Sequence, residues 1–448
     1  MDRERQPRSH NPRSTSHILQ SEEVGSFFIQ NFGCRTAQAE GAALAAALSE
    51  RGWQPGSRRQ ASLVVLNTCT VTAAADQDVR KALRRVRREN PAARILVTGC
   101  YAQRAPEELA AFPGVTWVVG NSHKSQIAKL LSGPAASGCL IQVGPPCAQP
   151  ELDWAAPGAC TEDRTRPNLK IQDGCSARCS FCLIPRVRGR SRSAPPEWVV
   201  EQVRRLSAHY REVVLSGINL GRWGRDFQPR LRLADLLRGL LDETPVERLR
   251  LSSIEPMDVS DSLLELMAAS PRLARHLHVP LQSGSDAILR RMCRSYRVRH
   301  YADRLRKARQ ALPEAALGAD VLVGFPGETD ADFDGTRRLV EALPLTYLHV
   351  FTVSARPGTP AATASGQVPV RVRKERNRLL RELAAAKNLA FRRSLLGGTL
   401  SVVTLGAPRL ALSDNYVKVE LAHPREPNRL IEVEIGGLTE TGLREKEP

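Results

Sequence analysis

Two runs of short apolar segments alternate with helix-patterned stretches, and a proline-rich break separates them; this rhythm sets the architecture of the 448-residue chain. In the first run, residues 27–30, 63–66, 95–98 and 115–119 read as strands, with helices at 36–51, 76–90, 106–112 and 125–131. Strands that recur after a helix predict a parallel sheet with helical crossovers. Between 132 and 165, Pro134, Pro145, Pro146, Pro150 and Pro157 interrupt the pattern, as a linker does. The second run places strands at 169–172, 212–216, 248–253, 276–280, 319–323 and 347–351, with helices such as 197–210, 233–243 and 330–343. Six such βα units fit a partial or complete (βα) barrel, with a doubly wound sheet as the second option. A long charged helix at 371–394 precedes β-branched segments at 400–405, 416–421 and 430–435, which suit a small β-barrel. The fold class expected is α/β: an N-terminal parallel α/β sheet domain (25–135), a linker (136–160), a central partial barrel (161–392) and a C-terminal β-barrel (393–448), behind a disordered basic tail (1–24).

Composition narrows the function. Hydrophobic residues make up 42% and charged residues 25%, which excludes a fibrous or largely disordered chain. No apolar stretch is long enough to span a bilayer, and the Arg-rich N-terminus has no apolar signal core, so a cytoplasmic protein without a membrane partner is expected. Ten Cys are too few for a disulfide scaffold of this length and point to metal-binding or catalytic thiols. The net charge of +18 suggests either a polyanionic partner, nucleic acid before membrane, or simply a well-solvated cationic surface.

Three of those thiols crowd into Cys175-Ser-Ala-Arg-Cys179-Ser-Phe-Cys182, directly after the first strand of the second run. Thiolates at this density hold zinc or an iron–sulfur cluster. Structural zinc takes four ligands; only Cys160 in the linker and His209 at a helix end are at hand, so three ligands on a four-iron cluster with one open iron is the better reading. Cys34, Cys69 and Cys100 each follow a strand of the first run. In a parallel sheet those strand ends share the ligand-binding edge, so these thiols either form a second site or are unrelated buried cysteines. Cys139, Cys147, Cys160 and Cys293 follow no strand and read as incidental.

Cys-x3-Cys-x2-Cys with Phe181 before the last thiol resembles the radical S-adenosylmethionine (SAM) enzymes, and the contexts of Cys34, Cys69 and Cys100 narrow this to the methylthiotransferases. Arg188-Gly-Arg-Ser-Arg192, His278-Val-Pro-Leu-Gln-Ser-Gly-Ser-Asp286, Val323-Gly-Phe-Pro-Gly-Glu-Thr329 and Arg356-Pro-Gly-Thr-Pro360 look like the same family, from about residue 26 onward. Ser216-Gly-Ile-Asn-Leu-Gly221, Leu251-Ser-Ser-Ile-Glu-Pro256 and Ser413-Asp-Asn-Tyr-Val-Lys-Val-Glu420 resemble the branch acting on N6-threonylcarbamoyladenosine at position 37 of tRNA. Ala37, Ala73 and Val353 stand where the family more often has Asn, Asn and Tyr.

The resemblance implies two [4Fe-4S] clusters and SAM. Cys175, Cys179 and Cys182 would hold the cluster whose open iron chelates SAM; Cys34, Cys69 and Cys100 would hold an auxiliary cluster that supplies sulfur. A SAM-derived radical is needed because the adenine C2–H bond is beyond acid–base side chains. Phe181, Ser216, Gly217, Glu255, Gly324 and Gly327 are the implied SAM-pocket residues, with Gly324 and Gly327 equally readable as turn residues. The C-terminal β-barrel resembles a TRAM domain, an RNA-binding barrel; the implied substrate is the tRNA anticodon loop at position 37, and the basic segments at 80–88, 290–309 and 371–381 are either contacts for tRNA phosphates or simply solvated faces. An electron donor and a sulfur source complete the implied scheme. Other readings at this point are methylthiolation of isopentenyladenosine-37 or of a ribosomal protein, and a non-catalytic Fe–S RNA-binding protein.

Overall fold

The computed structural model describes residues 25–131, 138–146 and 165–447; the basic tail, Cys147 and Cys160 lie outside them. Its N-terminal sheet has six parallel strands in the order Gln54–Pro55, Ser26–Asn31, Leu63–Thr68, Arg94–Gly99, Val115–Val119 and Leu140–Gln142. Leu63–Thr68 is buried along its whole length, as a strand covered on both faces must be. Val64 and Leu66 pack on Val79, Leu83 and Val86 of helix Ala73–Glu89, while Leu63 and Val65 pack on Leu44 and Leu48 of helix Arg35–Ser49. The expected linker contributes the sixth strand: Leu140–Gln142 pairs with Val115–Val119, and Pro145 and Pro146 follow its end. Three residues on a sheet edge leave too weak a periodicity to stand out among prolines.

The central domain has six parallel strands: Asn168–Asp173, Glu212–Gly217, Arg248–Leu251, His276–His278, Ala316–Val323 and Tyr347–Thr352. They form two hydrogen-bonded groups of three, joined where Leu249 bridges Leu273 and Ile254 N donates to His278 O at 2.9 Å. Arg192–Ser193 pairs antiparallel on the free edge of the first strand, so the barrel is partial rather than doubly wound. Leu169, Ile171, Val213, Leu215, Leu249 and Leu277 pack outward into the core beneath the helices. Because side chains alternate along a strand, Lys170, Val214, Arg250, His278, Asp320 and His349 face the lumen.

Helix Val370–Arg393 packs on strand Tyr347–Thr352 and leads into a closed five-stranded barrel, Thr399–Thr404, Leu410–Ser413, Lys418–Glu420, Leu443–Glu445 and Leu430–Leu438. Tyr416, expected inside a strand, instead sits in a turn at φ +66°. That turn leaves the small barrel and enters the central domain, where Arg250 donates to the carbonyl oxygens of Ser413 (3.0 Å) and Asp414 (2.9 Å). Among the described residues no helix is long and apolar enough to cross a membrane.

Candidate active site

Cys34, Cys69 and Cys100 follow three adjacent strands, since Ser26–Asn31, Leu63–Thr68 and Arg94–Gly99 are neighbours in the sheet. The sheet thus brings together thiols that are far apart in sequence. Gly33 makes the turn into Cys34 at φ +87°, and a Cβ there would lie 2.5 Å from Cys69 Cβ. Only glycine fits a turn that is both left-handed and this close to its neighbour. Burial pushes the Cys69 thiol up to about 12, with Cys100 and Cys34 adding to the effect. Cys34 keeps an accessible side chain, yet the surrounding protein also raises its thiol, against the pull of Arg188.

Two charged networks clamp this edge onto the central barrel. Arg188, only 1% exposed, donates to Glu40 Oε1 (2.7 Å), Glu40 Oε2 (3.1 Å), Asp173 Oδ1 (2.9 Å) and Cys100 Sγ (3.2 Å). Lys124 Nζ reaches Glu40 Oε2 at 2.6 Å, and Lys170 Nζ reaches Glu40 Oε1 at 3.0 Å and Asp173 Oδ2 at 3.2 Å. Three cations therefore face two carboxylates, with Cys100 Sγ as a further acceptor for Arg188. Burial works against ionising Glu40, but Arg188, Lys124 and Lys170 hold it well below the usual carboxylate range. The second clamp lies beside Cys69, where Arg356 Nη2 donates to Thr70 Oγ1 and Asp76 Oδ2, both at 2.6 Å, with Arg104 on the same carboxylate at 2.9 Å. Sequence reasoning quoted the segments containing Arg188 and Arg356 but missed Glu40, Asp76, Lys124, Lys170 and Asp173. Of the three departures, Ala37 is buried and its carbonyl accepts from Asn67 Nδ2 at 2.6 Å. Ala73 lies at the seam, its N–H donating to Ser354 Oγ at 3.1 Å, beside Val353 in a small apolar cluster.

The second triplet sits on the loop after strand Asn168–Asp173. Gly174 at φ +71° starts that loop, and a Cβ there would strike the Arg190 carbonyl at 2.0 Å. Cys175 N donates to Gly189 O at 3.0 Å, and Cys182 N donates to Cys179 O at 3.1 Å. Arg294 Nη1 donates to Cys179 Sγ at 3.2 Å and its other amine pairs with Glu255. Burial raises the Cys179 thiol despite Arg294 and pushes Cys182 up to about 12. Burial also raises Glu255, with Arg294 opposing. Phe181 packs edge-on against Phe325, with 6.3 Å between ring centroids.

Ser216 is fully buried at the end of the second strand, and Gly217 follows it against Gln172. Gln172 ties the strand ends together, donating to Asp173 O, Gly174 O and Ser191 Oγ while accepting from Asn219 N at 2.7 Å. Asn219 Oδ1 and Ser252 Oγ, just past the second and third strands, are buried with no hydrogen-bond partner. Gly324 and Gly327 turn at φ +75° and +81°, and their amides donate to Glu328 Oε2 (2.7 Å) and Gly366 O (2.7 Å), so neither N–H is left for a ligand.

In neither cysteine triplet do all three sulfurs lie within 4.8 Å of one another; the only group of described residues that tight is His278, Asp320 and His349. Zinc with sulfur at about 2.3 Å would need thiols closer than this, whereas a polynuclear cluster spans a wider set. The unpartnered polar atoms and the bridging arginines at the thiols fit such a cluster with a small molecule beside it. The histidine group belongs to the lumen, where Asp320 Oδ1 bridges His278 Nε2 (3.0 Å) and His349 Nδ1 (3.3 Å) and Tyr347 OH lies 2.7 Å from His276 Nε2. Burial opposes ionisation of Asp320, yet hydrogen bonds from His278 and His349 hold it below its usual range.

On the surface, helix Ala73–Glu89 exposes Lys81, Arg84, Arg85 and Arg88 opposite its buried Val79, Leu83 and Val86. The other two basic segments are partly internal: Arg294 serves Cys179 and Glu255, and buried Arg376 pairs with Glu328 at 2.6 Å. Among the incidental cysteines, Cys139 packs against the N-terminal core and Cys293 is exposed. His209 is not at the thiols; its carbonyl accepts from Asn428 Nδ2 at 2.6 Å.

Residues 169–340 match the radical SAM superfamily, and residues 26–120 match the uncharacterized protein family UPF0004. The chain is 40% identical to the threonylcarbamoyladenosine tRNA methylthiotransferase MtaB of Bacillus subtilis over 77% of each chain. It is 34% identical to the protein of the same name from Thermotoga maritima, over 93% of this chain and 95% of the relative. The fold is similar to that of the radical SAM methyltransferase TsrM from Kitasatospora setae, at a TM-score of 0.57 and 17% identity over 82% of this chain and 90% of the other. Two domain matches in the order seen in the fold, and relatives named MtaB at 33–40% identity over most of the chain, place it in the radical SAM methylthiotransferase family, on the branch of the threonylcarbamoyladenosine tRNA methylthiotransferases.

Proposed function

We propose that this protein replaces the C2 hydrogen of N6-threonylcarbamoyladenosine at position 37 of tRNA with a methylthio group, in the cytoplasm, drawing electrons from a separate reductant. Cys175, Cys179 and Cys182 hold one [4Fe-4S] cluster, and Cys34, Cys69 and Cys100 hold a second. When bound, the first cluster with SAM supplies the radical that activates an inert C–H bond, and the second supplies sulfur. The protein's own contribution is placement. The observation that carries the reading is Arg188, which belongs to the central domain and brings its Nε to 3.2 Å from Cys100 Sγ, while the next residue, Gly189, accepts from Cys175 N at 3.0 Å.

Hydrogen bonds to ligand sulfurs spread their charge and adjust the reduction potential. With clusters bound, Arg188 would do this at Cys100 and Arg294 at Cys179. The buried thiols must lose their protons as metal loads; Arg294 favours that loss at Cys179, and Arg188 favours it at Cys34 and Cys69. Phe181 and Phe325 form the apolar wall that keeps water from the cofactor. The strand ends at Ser216 and Gly217 and the carboxylate of Glu255 line the SAM side, while Gly324 and Gly327 shape the rim. Lys81, Arg84, Arg85, Arg88 and the C-terminal barrel contact the tRNA backbone.

Anaerobic reconstitution with iron and sulfide tests the reading. Incubation with SAM, a reductant and tRNA bearing threonylcarbamoyladenosine should release 5′-deoxyadenosine and give the 2-methylthio nucleoside. Cleavage of SAM with no change in the nucleoside would reject the assigned substrate.

A further inference from the structure

A cavity of about 440 Å³ opens between the three modules, lined by Arg35 and Gln38 of the N-terminal domain, Arg166 and Asn168 at the start of the central barrel, and Tyr416 from the C-terminal barrel. Asn168 and Val214 lie on the lumen side of their strands, so the cavity is part of the lumen that the N-terminal domain covers. Its charge is unbalanced. Arg35, Arg166, Arg248 and Arg250 gather around Tyr416, Glu212 and Asp414. Glu212 is taken by Arg250 at 2.7 Å and Arg166 at 3.1 Å. Arg35 donates from Nη2 to Tyr416 OH at 3.0 Å, and its Nη1 is buried with no hydrogen-bond partner. Among the described residues no carboxylate lies within salt-bridge distance of Arg35. Burial opposes ionisation of the Tyr416 hydroxyl, yet Arg35 foremost pulls it below its ordinary range, a sign of how positive the pocket is. A buried donor and surplus cations are costly unless an anion completes them.

We propose that this pocket binds the carboxylate of the substrate's threonylcarbamoyl arm, with Arg35 as its principal partner and Arg166 and Tyr416 beside it. The inference rests on the reading of the substrate above. Arg35 follows Cys34 directly, so the cation is anchored next to a thiol of the sulfur-supplying site. In adenine only N1 separates C2 from C6, the carbon bearing the N6 arm. A base whose C2 faces the Cys34 edge therefore carries its carboxylate into the space beside Arg35. A paired guanidinium–carboxylate contact has the directionality to select that arm over an apolar one of similar size, and a site built to bond a substrate group rejects an analogue lacking it.

A backbone phosphate offers the guanidinium the same anionic oxygen acceptors, and the test separates the two. Binding of anticodon stem-loops to reconstituted protein is measured by fluorescence anisotropy, with threonylcarbamoyladenosine or its neutral carboxamide at position 37, alongside iron content. Wild-type protein should prefer the carboxylate by at least tenfold. Arg35→Met should erase that preference by weakening only the carboxylate ligand, with iron content unchanged. Equal affinity of the wild type for both ligands, equal weakening of both by Arg35→Met, as a phosphate contact would give, or no weakening of either would overturn the proposal. If Arg35→Met fails to assemble, the wild-type comparison and Arg166→Met, read the same way, decide it. Methylthiolation of the carboxylate substrate by a wild type that does not prefer it would reject this pocket while leaving the proposed function standing.

Discussion

Replacing Arg188 by Met should loosen the seam between the first two domains. The side chain is 1% exposed and is shared by two buried carboxylates, Glu40 and Asp173. Removing one partner of a buried ion pair costs about 3–5 kcal/mol, because the other charge stays buried. Lys124 and Lys170 remain on Glu40, and Lys170 on Asp173, so the lower end of that range, about 3 kcal/mol, applies. Expressed as local opening, that is roughly a hundredfold loss of hydrogen-exchange protection. The assay is hydrogen–deuterium exchange on metal-free protein, reading the amides of helix Arg35–Ser49 with strand Thr399–Thr404 as an internal control. Glu40→Gln added to Arg188→Met should cost less than the two single changes together, since both remove the same Arg188–Glu40 contact. A change of less than about fivefold in Arg188→Met, or strict additivity in the pair, would refute the ion-pair account of the seam.

Acid should weaken the same region. Burial opposes ionisation of Asp173, but Lys170 and Arg188 hold it at about 2; burial likewise opposes Glu212, but Arg250 holds it at about 2. In the unfolded chain these groups take up protons near pH 4, so stability present above that pH is lost as it falls toward 2. Unfolding free energies that stay flat from pH 5 to 2 would contradict this. In metal-free protein at pH 8, iodoacetamide should label exposed Cys293 faster than Cys69 and Cys182, whose thiols are pushed up to about 12; against a free thiol in solution their deficit in thiolate is on the order of a thousandfold, and equal labelling by mass spectrometry would count against it. Gly33→Ala should place a Cβ 2.5 Å from Cys69 Cβ at φ +87°. Reconstituted variant should then lose about half its iron while the Cys175 set stays loaded; full iron content would show that the turn yields.

Legibility followed sequence distance. The six barrel strands could be read in order because each is a short apolar run closed by a turn, and Leu63–Thr68 stood out because it is buried on both faces. The short helix Cys100–Arg104, strand Leu140–Gln142 and strand Leu443–Glu445 escaped, since three to five residues carry no period. The positions of all six cysteines after strands were readable, because strand ends are local features. Arg188 and Glu40 are 148 residues apart, and Arg35 and Tyr416 are 381 apart. Nothing local marks Glu40 inside an alanine-rich helix as the partner of a barrel arginine. Nor does a basic run say which of its members turn inward, as Arg294 and Arg376 do.

The C-terminal barrel has a structural part as well as its proposed RNA contact. Its Ser413 and Asp414 carbonyls accept from buried Arg250, and Tyr416 closes the floor of the lumen. Removing residues 395–448 would therefore expose a buried charge network in the central domain, so point changes on the outer face of that barrel isolate its RNA role better than deletion.

The central claim is tested most directly in a host whose tRNA carries threonylcarbamoyladenosine but which has no methylthiotransferase of its own. Nucleosides from its tRNA are compared by mass spectrometry with and without this protein. The account predicts that 2-methylthio-N6-threonylcarbamoyladenosine appears with the wild-type chain and is absent with either cysteine triplet changed to Ala. Unmodified threonylcarbamoyladenosine alongside a different methylthiolated nucleoside, or product formed without either triplet, would contradict it.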